Sequence, residues 1–178
     1  MSEMVRRPPG WACDASMSSE SGVATGASVR CDEWGKAVGQ VVVVRFEPET
    51  AGSSYYEVAN VLAAAMRSLT AGSWAPVVYG DLDGIDRGLK KYAFWGQHGF
   101  PDRIPLELQR LVVELGEDIE RIQYERLPRN STSALALADR TARLAMRGRR
   151  LREDIVETTV REVVEEYRGR ARWGTYAA

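Results

Sequence analysis

Val77-Val78-Tyr79-Gly80-Asp81-Leu82-Asp83-Gly84-Ile85-Asp86 is a short apolar run that spills into a turn carrying three carboxylates. A run that does not alternate polar with apolar marks a strand covered on both faces, here Ala75 to Tyr79. Upstream, Val38 and Val41-Val42-Val43-Val44 give the same signature within a strand expected over Ala37 to Phe46. Between the two runs, Val58, Leu62, Met66 and Leu69 recur at helical spacing, Ala59, Ala63 and Ala65 permit close approach, and Gly72 is placed to cap the C-terminus. Ser54 with Glu57 three residues on reads as a capping box at the start of that helix. Strand, helix and strand in this length suit a right-handed parallel crossover. The fold class expected is therefore α/β or α+β, with a short, mostly parallel sheet followed by a helical C-terminal half.

Working outward, Ser28 to Trp34 pairs with the Ala37 to Phe46 strand as a hairpin turning at Gly35-Lys36. Residues 1–26 are rich in Ser, Gly, Ala and Pro without periodicity, and are expected to be a flexible tail. After the acidic turn, a short helix is expected over Asp86 to Trp95, with Tyr92, Phe94, Trp95 and Phe100 sealing the core and His98 in an exposed turn. A second helix starts at Pro105, carries Leu108, Leu111, Leu115, Ile119 and Ile122 on one face, and stops before Pro128. A longer helical pattern runs from about Ala134 to Tyr167, kinked or broken at Gly148. The division expected is thus a tail over 1–26, a small α/β core over 27–128 and a helical extension over 129–178.

The totals set limits. With 178 residues, 44% hydrophobic and 28% charged, the chain can bury a core without staples. A formal charge of -1 provides no global pull toward nucleic acid or anionic lipid. The basic residues are nearly all arginine, Lys36, Lys90 and Lys91 being the exceptions. Cys13 and Cys31 form no C-x-x-C pair and sit beside no histidine, so neither a zinc site nor a disulfide framework is expected. The N-terminus has no apolar leader, and the longest aliphatic run, Val41 to Val44, is too short to span a bilayer. A cytoplasmic location is the expectation, with no membrane partner.

Two features bear on function. Asp81-Leu82-Asp83-Gly84 after Val77-Val78-Tyr79 resembles the first motif of the haloacid-dehalogenase-like phosphohydrolases. That resemblance implies Asp81 as nucleophile, Asp83 as acid/base, Lys90 or Lys91 as a phosphate-neutralising cation, and Mg2+ held by Asp81 and Asp83 with Glu117-Asp118 as remote ligands. The chain departs from the pattern at Ile85 and Gly80, and the plainer reading is that Asp81, Asp83 and Asp86 form a turn and cap the next helix. An EF-hand loop fails on spacing, because Gly84 comes too early.

The second feature is charge segregation. Arg140, Arg143, Arg147, Arg149, Arg150 and Arg152 come with no intervening acid, and Glu153, Asp154, Glu157, Glu162, Glu165 and Glu166 follow. Antiparallel pairing of two such helices sets basic against acidic halves. The leading expectation is accordingly a binding or assembly protein without cofactor, self-associating or docking a protein partner through Arg140, Arg143, Arg147, Arg150, Glu153 and Glu157. The alternatives are a Mg2+-dependent phosphoryl-transfer hydrolase at Asp81 and Asp83, and a nucleic-acid binder using the arginine helix, which ranks below a protein partner.

Overall fold

The structure is a computed structural model that describes residues 5–48 and 53–174. It has a mixed α/β fold. Strands β1 (Gly10–Met17), β2 (Ala24–Cys31) and β3 (Ala37–Phe46) form an antiparallel meander. Helix α1 (Ser53–Thr70) crosses over to β4 (Val77–Gly80), which pairs parallel to β1. Helices α2 (Ile85–His98) and α3 (Leu106–Leu115) and a 3-10 turn (Gly116–Arg121) lead to β5 (Gln123–Arg126), parallel to β4. Helix α4 (Ser133–Met146), β6 (Val156–Thr159) and α5 (Val160–Gly174) follow, and β6 pairs parallel to β3. The sheet order is β5-β4-β1-β2-β3-β6.

The expected tail is corrected here, because Gly10–Met17 is an inner strand of the sheet. Its small side chains are what the position demands, since helices press on both faces. Cys13 and Trp11 point to α1, whereas Ala12 packs with Ala27, Val29 and Cys31 against Ala134, Leu135, Ala138 and Ala142 of α4. Helix α1 is buried on most of its circumference, with Leu62, Ala63, Ala65 and Met66 fully enclosed, because α3 and α5 flank it as well as the sheet.

Two helical expectations are broken by strands. The second helix ends at Leu115, where Gly116 takes φ 52°, a left-handed conformation that suits glycine. Ile119 and Ile122 still turn inward, but from the 3-10 turn and its end. The long C-terminal pattern is also interrupted: Gly148 has φ 69° and the β-branched Val156–Thr159 segment is a strand. Among the described residues no helix is long and apolar enough to cross a membrane.

Candidate metal centre

The parallel ladder between β1 and β4 joins Trp11 to Val78 and Ala12 to Tyr79. An equal step of two residues beyond it brings Asp14, midway along β1, beside Asp81, just past the carboxyl end of β4. Ligands in open α/β sheets bind at such ends, where neighbouring strands lead off in different directions. Glu57, in the second turn of α1, reaches the same point: one oxygen from each of the Asp14, Glu57 and Asp81 carboxylates lies within 4.8 Å of the others.

Local contacts fix each member. The Ala15 amide donates to Asp14 Oδ1 at 2.9 Å and to Glu57 Oε1 at 3.2 Å, tying helix to strand. Asn60, one turn after Glu57, donates from Nδ2 to the carbonyls of Asp14 and Ala27, both at 3.0 Å. Beyond β4, Tyr124 Oη donates to the Leu82 carbonyl at 2.7 Å and Arg126 Nε to the Asp81 carbonyl at 3.1 Å. Gly80, which interrupts the apolar run in the sequence, is required by that approach: a Cβ there would lie 2.7 Å from the Tyr124 hydroxyl.

A fourth acid completes the arrangement from the opposite face. Asp14 shares the α4 face of β1 with Ala12, and the buried Asp139 of α4 lies within hydrogen-bonding reach of its carboxyl. Arg143 Nη2 pairs with Asp139 at 3.0 Å, and Arg129 Nη2 lies 3.8 Å away.

Crowded, desolvated carboxyls resist ionising. Burial raises the pKa of Glu57 to about 9, reinforced by its hydrogen bond to Asp14 and by the charges of Asp14 and Asp81. Asp14 is raised less, again chiefly by burial, because its hydrogen bond with Glu57 works the other way. A divalent cation relieves this repulsion, and an all-oxygen donor set suits the hard ions Mg2+, Mn2+ or Ca2+. The residues present therefore fit such a metal, and the expectation of a protein without cofactor is corrected.

The other expected site residues lie elsewhere. Asp83 is exposed and pairs with Arg87 at 3.3 Å, while Lys90 and Lys91 are exposed on α2. Helix α2 is capped by Gly84 at φ 88° with no side-chain cap, so the acids of the turn do not cap it. Glu117 and Asp118 belong to the 3-10 turn, where Asp118 binds Tyr167 and Arg121. His98 ends α2 with its ring tilted against Phe94, centroids 4.4 Å apart. Of the charge-segregated residues, Arg140, Arg143 and Arg147 are exposed on α4 or at its end, Arg150 and Glu153 lie in the loop after it, 3.9 Å apart, and Glu157 of β6 pairs with Arg45 at 2.5 Å.

No family model matches the chain, and no curated protein matches it in sequence. Among solved structures it is similar to RNase H1 of the halophilic archaeon Halobacterium salinarum, with TM-score 0.52, 17% identity, and 79% of this chain and 98% of that one covered. It is also similar to the RNase H domain of PFV, with TM-score 0.58, 17% identity and coverage of 80% and 96%. A foamy viral protease-reverse transcriptase solved with an RNA/DNA hybrid gives TM-score 0.58 at 16% identity, 82% of this chain matching 21% of that one. At such identities the likeness is one of fold. Together with the acidic cluster, it overturns the expectation of a self-associating assembly protein and the ranking of nucleic acid below a protein partner; it also replaces the haloacid-dehalogenase-like comparison with a different fold.

Proposed function

We propose that the chain is a divalent-metal-dependent phosphodiester hydrolase acting on nucleic acid, with the RNA strand of an RNA/DNA hybrid as its substrate. The observation that carries this reading is the convergence of Asp14, Glu57 and Asp81, from β1, α1 and the end of β4, within 4.8 Å in a fold similar to RNase H domains. When bound, the cation polarises the scissile phosphate and lowers the pKa of water. Asp14 of β1 and Asp81, just past β4, would hold it; the Ala15 amide orients the Asp14 carboxylate and Asn60 fixes the Asp14 backbone. Glu57, hydrogen-bonded to Asp14 and raised in pKa chiefly by burial, would be the third carboxylate holding the cation and would bind it in its ionised form. Asp139 approaches from the other face with Arg143 and Arg129, so positive charge stands beside the cluster where a nucleic-acid backbone has to pass. The setting belonging to this reading is the cytoplasm, in keeping with two free, buried cysteines.

The test is cleavage of labelled RNA/DNA hybrid, single-stranded RNA, double-stranded RNA and double-stranded DNA, each with Mg2+, Mn2+ or chelator. Metal-dependent cutting of the RNA strand of the hybrid, abolished in Asp14→Asn and Asp81→Asn, supports the reading. Cutting that persists in chelator, or in both variants, overturns it.

A further inference from the structure

At the other end of α1 lies a second, unrelated cleft. Arg67 stands ten residues beyond Glu57, about 15 Å along the helix axis at 1.5 Å per residue. Between α1, α5 and the strands beneath them the surface opens into a cavity of about 720 Å3 bordered by Trp11, Arg30, Gln40, Arg67, Thr158 and Glu166. That volume is in the range of small-molecule sites.

The cleft carries more positive than negative charge, two arginines against Glu166. The Arg67 guanidinium lies over the Trp11 ring, 4.8 Å from its centroid, and Arg30 approaches the same ring at 5.8 Å. Arg67 Nη2 donates to Ser28 Oγ, but its Nε is buried without a hydrogen-bond partner. Among the described residues neither Arg67 nor Arg30 forms an ion pair. A largely desolvated guanidinium whose only acid across the cleft, Glu166, acts on it from a distance without pairing is costly and draws an anion. Glu166 on the rim is the one acid bordering the cavity and is exposed. Two arginines with serine and threonine hydroxyls around them match a phosphate dianion, which accepts several charge-assisted hydrogen bonds at once.

We propose that this cleft binds a phosphate monoester, the group carried by a free mononucleotide or by the 5′ end of a nucleic-acid strand, with Arg67 and Arg30 as its donors. The site is independent of the carboxylate cluster and needs no metal.

The experiment is calorimetric titration of the whole chain in chelator with AMP, adenosine, and 5′-phosphorylated or 5′-hydroxyl RNA decamers. AMP is expected to bind at least about tenfold more tightly than adenosine, the scale of one charge-assisted hydrogen bond. Arg67→Gln and Arg30→Gln each weaken AMP by a similar factor, and Glu166→Gln tightens it. Should Arg67→Gln fail to fold, the exposed Arg30→Gln still decides. Binding of the phosphorylated decamer over its 5′-hydroxyl form assigns the site to strand ends, and binding of AMP alone assigns it to free nucleotides; both support the proposal. AMP and adenosine binding alike, no binding of any probe, or AMP affinity unchanged in Arg30→Gln and folded Arg67→Gln overturns it. Hybrid cleavage reads the carboxylates and nucleotide binding reads Arg67, so the two ideas can fail separately.

Discussion

Asn60 lies directly against Gly26: a Cβ on that glycine would sit 2.2 Å from Asn60 Oδ1. The contact lets one side chain of α1 bond the backbones of β1 and β2 together, at Asp14 and Ala27. Asn60→Ala is expected to cost about 2 kcal/mol, by leaving buried carbonyls without their donor. Gly26→Ala should cost at least as much, because Asn60 has to be pushed off both strands. Urea unfolding measures both, and a loss below about 0.5 kcal/mol in Asn60→Ala, the level of ordinary surface changes, would show that the clamp is dispensable.

The cluster and the acidic turn are separable by mutation. Asp14→Asn, Glu57→Gln or Asp81→Asn should slow hydrolysis at least about a hundredfold, the order seen when a group stabilising transition-state charge is lost. Asp83→Asn, which removes only an exposed partner of Arg87, should leave the rate within about twofold. Initial rates on the hybrid decide, and a large loss in Asp83→Asn would return the acid/base role to the turn.

Glu57 also makes a pH prediction. Burial raises its pKa from 4.5 to about 9, so between those values the folded chain binds more protons than the unfolded one. Stability of the metal-free protein should therefore fall through this group as pH rises across that window. Melting curves of wild type and Glu57→Gln across it should diverge, the variant falling less steeply, and Mg2+ should recover stability at the alkaline end in the wild type only. Parallel curves would remove Glu57 from the cluster.

If a hybrid lying across the carboxylates continues over the helix after Asp81, its backbone meets the exposed Lys90 and Lys91. Replacing both with alanine should weaken binding and flatten the dependence of log affinity on log salt by about 2, close to one per lost phosphate contact. Fluorescence anisotropy at several salt concentrations measures this, and an unchanged slope would place the strand elsewhere.

Much of the scaffold was legible in the sequence. The Val41 to Val44 strand, the register of α1 and the crossover to Val77–Gly80 follow from periodicity alone. The first strand was not, because burial between two helices favours Ala, Cys and Gly, the composition that also marks a tail. The site was half visible. Asp81 stood out after an apolar strand, whereas Glu57 passed as a capping residue, Asp14 fell in a segment read as a tail, and Asp139 carried no local signal. A cluster drawn from two strands and the helices on either face has no spacing rule, since strand register and helix crossings set its geometry. The one available cue was an acid inside an otherwise apolar segment, as at Asp14. The segregated arginines and glutamates misled for a related reason: helix was expected on both sides of a break at Gly148, where a loop and the strand β6 follow instead.

Both margins of the sheet are four-residue strands, β5 reading Gln-Tyr-Glu-Arg and β6 Val-Glu-Thr-Thr. Short, charged margins discourage strand-to-strand aggregation. The long valine strand β3, which needs such protection most, is flanked by β6 rather than by solvent, with Val42 beside Val156 and Arg45 beside Thr159. The segment after α4 is thus a cover for the sheet margin as well as a wall of the second cleft: without β6, the backbone ladder of β3 would be an unpaired edge open to strand addition.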